Sequence, residues 1–358
     1  MKTRCLTLTL ICFLLVVFCF PSPVSAERGT PESLEFASGA RLDLNGAYLE
    51  QALRLAAQLH LDWIAVDYDW AAAAPERSGL QVSSQFNLAL RLADKLGLSV
   101  LVSIKNPPAW ALTTQGPDPL ASADLISSLA GSYPGMRAVE LYPQANTRSG
   151  WGAAPNPAAY AALYQTAETR LTSENRKIYL VAGGLSNQLS LSEDINDLEF
   201  LQGLYTAGLR PAILSLQLGN LTGTPLDEPS AASLRHYEQV RNVMTTNQQT
   251  TGLLWITSFA PPAALTTPET QSGWLEQATL QMRSQLYLGA VFYQTLNPRP
   301  EAGNESFSLV TPLGALQPFV QVLGKWMNQP LIGQLPKLQA ITKKMESNLL
   351  FARFLNQP

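Results

Sequence analysis

Seven short apolar segments recur along the chain at nearly constant spacing. They are Trp63-Ile-Ala-Val66, Val100-Leu-Val-Ser-Ile104, Val139-Glu-Leu-Tyr142, Ile178-Tyr-Leu-Val181, Ile213-Leu-Ser-Leu216, Leu253-Leu-Trp-Ile256 and Val291-Phe-Tyr293. Their starts lie 37, 39, 39, 35, 40 and 38 residues apart. Each is rich in β-branched and aromatic residues, and continuous rather than alternating. A strand covered on both faces reads this way.

Between these segments the apolar residues follow helical spacing, over Ala47 to Leu59, Gln85 to Leu96, Ala158 to Leu171, Ser230 to Met244 and Leu275 to Leu288. Strand–helix alternation implies parallel strands joined by crossover helices. Seven visible repeats fit an α/β chain folded as a single (β/α)8 TIM barrel. Leu34-Glu-Phe-Ala37 is the candidate first strand, and the last barrel helix is expected near Leu313 to Met327. An open doubly wound sheet would usually carry a Gly-rich phosphate turn, G-x-G-x-x-G, and none exists here. Gly183-Gly184 is read as a turn after the fifth strand. Leu335, Leu338, Ile341, Met345 and Leu349 have helical spacing, so 329–358 is expected to add a C-terminal helix to a barrel over 27–328.

The first 26 residues read as a signal peptide. Lys2 and Arg4 precede an apolar run from Leu6 to Phe20, and Val24-Ser25-Ala26 supplies small residues for cleavage after Ala26. The run is short for a membrane anchor, which needs about 20 residues, although an uncleaved anchor is the alternative. Phe18 before Cys19 argues against a lipoprotein. All three cysteines, Cys5, Cys12 and Cys19, lie in this segment. The mature chain would therefore hold no disulfide, thiol nucleophile or Cys-ligated metal. It would be secreted or extracytoplasmic, with no membrane span left. The net charge of −3 becomes −5 without Lys2 and Arg4, and charged residues are only 14%. No basic run suits nucleic acid. Sequons stand at Asn220 and Asn304.

In a barrel of this kind the site lies at the C-terminal strand ends. There the second strand gives Asp67-Tyr-Asp69-Trp70, followed by Pro75-Glu76. The third gives Asn-Pro107-Pro108-Ala109-Trp110. The fourth gives Glu140-Leu-Tyr-Pro-Gln144-Ala-Asn146, then Gly150-Trp151-Gly152. The seventh gives Trp255-Ile-Thr-Ser258-Phe259, and the eighth Tyr293-Gln294-Thr-Leu-Asn297. In this order the segments resemble the retaining glycoside hydrolases of the clan that includes families 5 and 39, over roughly Leu34 to Met327.

The resemblance also implies losses. Its fourth strand ends Trp-Asn-Glu-Pro-Asn, with Glu as acid/base, and Gln144 stands there. Its seventh ends Trp-Ile-Thr-Glu-Phe, with Glu as nucleophile, and Ser258 stands there. Ala65 replaces an Arg, and Leu216-Gln-Leu-Gly219 lacks the usual His and Tyr. Retaining hydrolysis needs two carboxyl groups about 5–5.5 Å apart. Gln144 offers neither proton nor charge. Ser258 would need an adjacent base, and His60 and His236 both fall in helical stretches. No catalytic residue is therefore assigned.

Asp67 and Asp69, two apart and facing one way, are read as strand-end caps. As metal ligands they lack a His or a further acidic cluster. No metal or cofactor is expected. Glu140 is read as a buried hydrogen-bonding group and Trp255 as core. The expected ligand-binding set is Asp69, Trp70, Trp110, Gln144, Asn146, Trp151, Ser258 and Tyr293. Its rings either stack on sugar faces or plug the barrel top. The chain is thus expected to be an inactive glycosidase-like barrel that binds a glycan or a partner at its rim. The alternatives are an active hydrolase with relocated carboxylates around Asp67, Asp69 and Glu76, and a structural barrel whose pocket is filled.

Overall fold

A computed structural model describes residues 27–327, apart from 34, 78, 80 and 300–305. The signal-peptide reading of 1–26, the tail helix of 329–358 and the Asn304 sequon lie outside the described residues.

Eight parallel strands close into a barrel: β1 (Ala37–Leu42), β2 (Trp63–Asp69), β3 (Ser99–Lys105), β4 (Met136–Leu141), β5 (Tyr179–Ser186), β6 (Ile213–Leu218), β7 (Leu253–Phe259) and β8 (Leu288–Tyr293). Each pairs with the next, and β8 pairs back to β1, Ala37 opposite Ala290. Closure removes the open-sheet alternative. Helices follow the strands: α1 (Leu49–Gln58), α2 (Ser84–Lys95), α3 (Pro119–Ser132), α4 (Pro157–Ser173), α5 (Asp197–Thr206), α6 (His236–Thr246), α7 (Pro268–Arg283) and α8 (Val320–Met327).

Several boundaries differ from expectation. The first strand is not Leu34 to Ala37 but Ala37–Leu42. It escapes an apolar search because its lower inward positions, Ala37 and Gly39, are small and the next, Arg41, is charged. A Cβ at Gly39 would sit 2.6 Å from the Phe292 ring, so the neighbouring strand's aromatic excludes a larger residue. Helix α7 begins earlier than Leu275: Thr267 caps the Thr270 amide at 3.3 Å and Pro268 takes the first turn. Leu288, expected to end that helix, opens β8. Residues 230–235 form turns before α6. Leu313, 92% exposed, sits in a turn joined by the Val310–Leu316 bridge, so α8 starts only at Val320. Gly183 and Gly184 are not a turn. Both have positive φ, and they form a bulge inside β5, where the pairing with β6 slips between Ala182 and Leu185.

Strand alternation sorts the barrel interior into layers. At the bottom, Ala37, Trp63, Ala65, Leu101, Ala138, Val181, Ile213, Trp255, Ala290 and Phe292 form one buried cluster. Trp63 and Trp255 meet edge to face at 5.1 Å, and Trp255 meets Phe292 at 5.8 Å. Each ring removes about 150–250 Å² from water, or about 4–6 kcal/mol before entropy is counted. One step up, the interior turns polar. The fully buried Glu140 carboxyl accepts from Ser103 Oγ at 2.6 Å, Ser215 Oγ at 2.8 Å and Thr257 Oγ1 at 2.6 Å. Those donors come from β3, β6 and β7. The next step up is the rim.

The bottom layer is a rigid plug, so its loss should act on stability alone. Trp255→Ala should cost about 3–5 kcal/mol, read as a lower urea midpoint at unchanged slope. A loss below about 1 kcal/mol would mean that the layer does not hold the barrel closed.

Candidate functional site

The same alternation that gives the bottom cluster places the site. Continuing by twos from Ala37 and Gly39 leads to Arg41, from Trp63 and Ala65 to Asp67, from Leu101 and Ser103 to Lys105, from Ile213 and Ser215 to Gln217, and from Ala290 and Phe292 to Gln294. These five residues line a cleft at the strand C-terminal ends. The cleft has two lobes of about 480 Å³ each, which share Arg41, Asp67, Lys105 and Gln294.

A three-residue ion network divides the lobes. Arg41 Nη2 pairs with Asp67 Oδ1, and Lys105 Nζ lies 2.7 Å from Asp67 Oδ2. Arg41 Nη1 also donates to the Thr257 carbonyl at 3.0 Å. Burial pushes the Asp67 carboxyl up, but the Arg41 and Lys105 charges outweigh it and hold the group below its ordinary value. Asp67 is therefore a charged anchor with both oxygens engaged, and it holds no proton to give.

Gln144 and Ser258 line the same lobe. Gln144 Nε2 donates to Gln217 Oε1 at 3.1 Å, and Ser258 Oγ donates to Gln294 Oε1. The β5 bulge positions Gln144. The Gly184 carbonyl accepts the Gln144 amide at 2.8 Å, while the Gly184 amide is held by Ser215 Oγ at 2.6 Å. A Cβ at Gly184 would fall 2.7 Å from Pro143 Cα and 2.8 Å from Glu140 Oε1. Glu140 thus fastens the strands beneath the site without reaching it.

The rest of the expected ligand set is dispersed. Asp69 borders the first lobe but is occupied: it caps the Ala72 amide at 3.0 Å and accepts from Asn106 Nδ2 at 2.7 Å. Asn146 is fully buried, with bonds to the Ser186 amide and to the carbonyls of Ser186 and Ile195. Trp70, Trp151 and Tyr293 are buried and line neither lobe, so none of these three offers a ring face to the cleft. Trp151 donates to the Gln115 carbonyl, Tyr293 to that of Phe307, and Trp70 packs edge to face with Trp110 at 5.3 Å. Trp110 is partly buried, bonded to the Ala74 carbonyl and absent from the cleft lining. Of the two readings offered for these aromatics, these contacts are those of packing. Glu76 is exposed on the loop after β2 and lines neither lobe.

Gln217, Gln294, Lys105 and Arg41 were missed as site residues. The first three stand at quoted strand ends and could have been found as polar residues in register with the apolar interior positions. Arg41 could not, because its strand was placed too early. Neither histidine reaches the rim. His60 lies in the turn after α1, and His236 opens α6, buried, with Nε2 2.5 Å from Asp197 Oδ2 and Nδ1 2.9 Å from Gln239. Ser258 therefore has no imidazole beside it. Burial pushes His236 down, but the Asp197 hydrogen bond and charge outweigh it and leave the imidazole above its ordinary value. Among the described residues no group of three or more His, Cys, Asp or Glu could hold a metal, and no helix is long and apolar enough to cross a membrane.

The two shifted groups act on opposite limbs of the pH profile. The His236–Asp197 contribution to stability is full below about pH 6.5 and is lost as pH rises through the raised value of the folded state. The Asp67 contribution is full above about pH 3.8 and is lost as pH falls through its lowered value. Subtracting the unfolding profile of His236→Gln from that of the native chain should therefore leave a difference that declines on the alkaline side. The corresponding difference for Asp67→Asn should decline on the acid side. Parallel profiles would contradict the assignments.

No sequence-family model and no curated protein matches the chain. Solved structures do match in fold. A family 39 glycoside hydrolase from Bacteroides cellulosilyticus aligns with a TM-score of 0.61 at 15% identity, over 86% of this chain and 65% of its own length. The chain thus spans just under two thirds of that protein. A family 5 subfamily 18 enzyme from Streptomyces cattleya, solved with GlcNAc, aligns at 0.62 and 14% identity, over 89% and 91% of the two chains. A variant of a subfamily 18 enzyme from Bifidobacterium longum, solved with Manβ1-4GlcNAc, aligns at 0.60 and 12%, over 84% and 79%. The closed eight-stranded barrel is thus a glycoside-hydrolase-like (β/α)8 fold.

Proposed function

We propose that this barrel binds a glycan in the rim cleft without hydrolysing it, as an exported relative of clan A glycoside hydrolases that has lost its catalytic pair. The observation that carries this reading is the placement of Gln144 and Ser258 in one open lobe. By the resemblance these are the acid/base and nucleophile positions. Here an amide pair, Gln144–Gln217, and a hydroxyl–amide pair, Ser258–Gln294, stand in their place. Amides and hydroxyls can both donate to and accept from sugar hydroxyls. Neither protonates a leaving oxygen or attacks an anomeric carbon unaided.

The competing readings have less support. Hydrolysis by relocated carboxylates would draw on Asp67, Asp69 and Glu76. Asp67 is held charged between two cations, Asp69 is capping a turn, and Glu76 lies off the cleft. A filled barrel is disfavoured by the open volume of the two lobes. The fold neighbours solved with GlcNAc and Manβ1-4GlcNAc suggest oligosaccharides as first ligands to try. Export rests on the N-terminal sequence alone.

Calorimetry is the suitable measurement, since the tryptophans named above are buried or off the cleft. At least one oligosaccharide in a broad panel should bind. Gln144→Ala or Gln217→Ala should weaken it about three- to tenfold, the loss of one or two hydrogen bonds. Aryl glycosides should not turn over. Turnover abolished by Asp67→Asn or Asp69→Asn would overturn the non-catalytic reading. Silence across the panel would overturn the binding reading in favour of a structural barrel.

A further inference from the structure

One lobe of the cleft is electrostatically unlike a site built for retaining hydrolysis, which holds two carboxyl groups. The lobe containing Gln144 and Ser258 is lined by three charged residues: Arg41, Lys105 and Asp67. Two cations face one carboxylate, which leaves one positive charge uncompensated. Every other polar residue there is neutral. The same three residues border the other lobe, where Arg299 pairs with Asp43 at 3.4 Å and Asp69 is engaged by the Ala72 amide and Asn106. What distinguishes the lobe holding Gln144 and Ser258 is that it borders no carboxylate besides Asp67.

Within the ion network the two cations are not equivalent. Arg41 is largely buried, and its guanidinium is committed to Asp67 and to the Thr257 carbonyl. Lys105 is 37% exposed at the side chain, and among the described residues Asp67 is its only partner. An ammonium group carries three donors, so Lys105, which lines the lobe, keeps donors beyond the one given to Asp67. Asp67 anchors this ammonium in the lobe that Gln144 and Ser258 also line.

We infer that the ligand is an acidic glycan, whose carboxylate or sulfate group docks on Lys105 while its hydroxyls meet the glutamine and serine side chains. This deepens the proposed binding function and rests on it. An anion at Lys105 completes an alternating Arg–Asp–Lys–anion row. A neutral sugar leaves the remaining Lys105 donors without a charged partner. Complementarity of this kind acts chiefly on ligand choice.

The test compares three oligosaccharides of equal length by calorimetry: a neutral galactan, a galacturonan and a sulfated galactan. At least one acidic ligand should bind about tenfold more tightly than the neutral one, and the two acidic arms show which anion the lobe takes. Raising ionic strength should erase most of that preference while leaving neutral binding in place. Lys105→Gln should remove the preference for the acidic ligand, and Lys105→Arg should keep it. If neutral and acidic sugars bind alike, with no dependence on salt or on Lys105, the acidic assignment is overturned and the glycan-binding function stands. If no sugar binds, here or across the broad panel, both are overturned. The salt titration uses the native chain, so the outcome does not depend on the variants folding.

Discussion

Closure of eight parallel strands into one barrel is the constraint on which everything else here depends. Closure places every second residue of each strand in a shared interior that must be filled at near-crystalline density. A large residue on one strand therefore demands a small one opposite. Phe292 and Trp63 fill the space beside Gly39 and Ala37, and Trp255 fills what they leave. The small first strand is a consequence of its neighbours' aromatics, not a weakness in the fold.

The interior also changes character with height. Apolar rings close the bottom, a buried carboxyl bound by three hydroxyls occupies the middle, and charged and amide groups form the rim. The middle layer joins the other two. Glu140 ties β4 to β3, β6 and β7, and Ser215 passes the connection to the Gly184 amide, whose carbonyl holds Gln144. A buried polar group is tolerated only when its partners are complete. Here that completeness fixes the backbone beneath the cleft. The rim can then vary its chemistry on a rigid base, which is the property that lets one barrel scaffold carry different functions.

Much of the fold was legible in the residues. Continuous apolar runs such as Val100 to Ile104 have one common explanation, burial on both faces, and their spacing leaves room for one crossover helix each. Helix starts were less legible where Thr267-Pro268 supplied the signal instead of an apolar stripe. At the site, Gln144 and Ser258 were placed by their position relative to recognisable strands, and they share a lobe. The rings were not so placed. Trp70, Trp151 and Tyr293 stand at strand ends just as a sugar platform would, yet each is turned into the surrounding core. Sequence position gives the height of a residue on the barrel, whereas rotamer and neighbour contacts decide which way its ring faces.

The chain's own order of residues was enough to determine the repeating strand–helix unit, the polar character of the rim and the lack of carboxyl groups at positions 144 and 258, because these follow from local periodicity and from position within a strand. Only the tertiary structure decided that Arg41, Asp67 and Lys105 form one network, and that it borders the Gln144–Ser258 lobe. Arg41 and Thr257 are 216 residues apart and hydrogen-bonded. Contacts of that kind arise from closing the sheet on itself, and no local pattern in the chain encodes them.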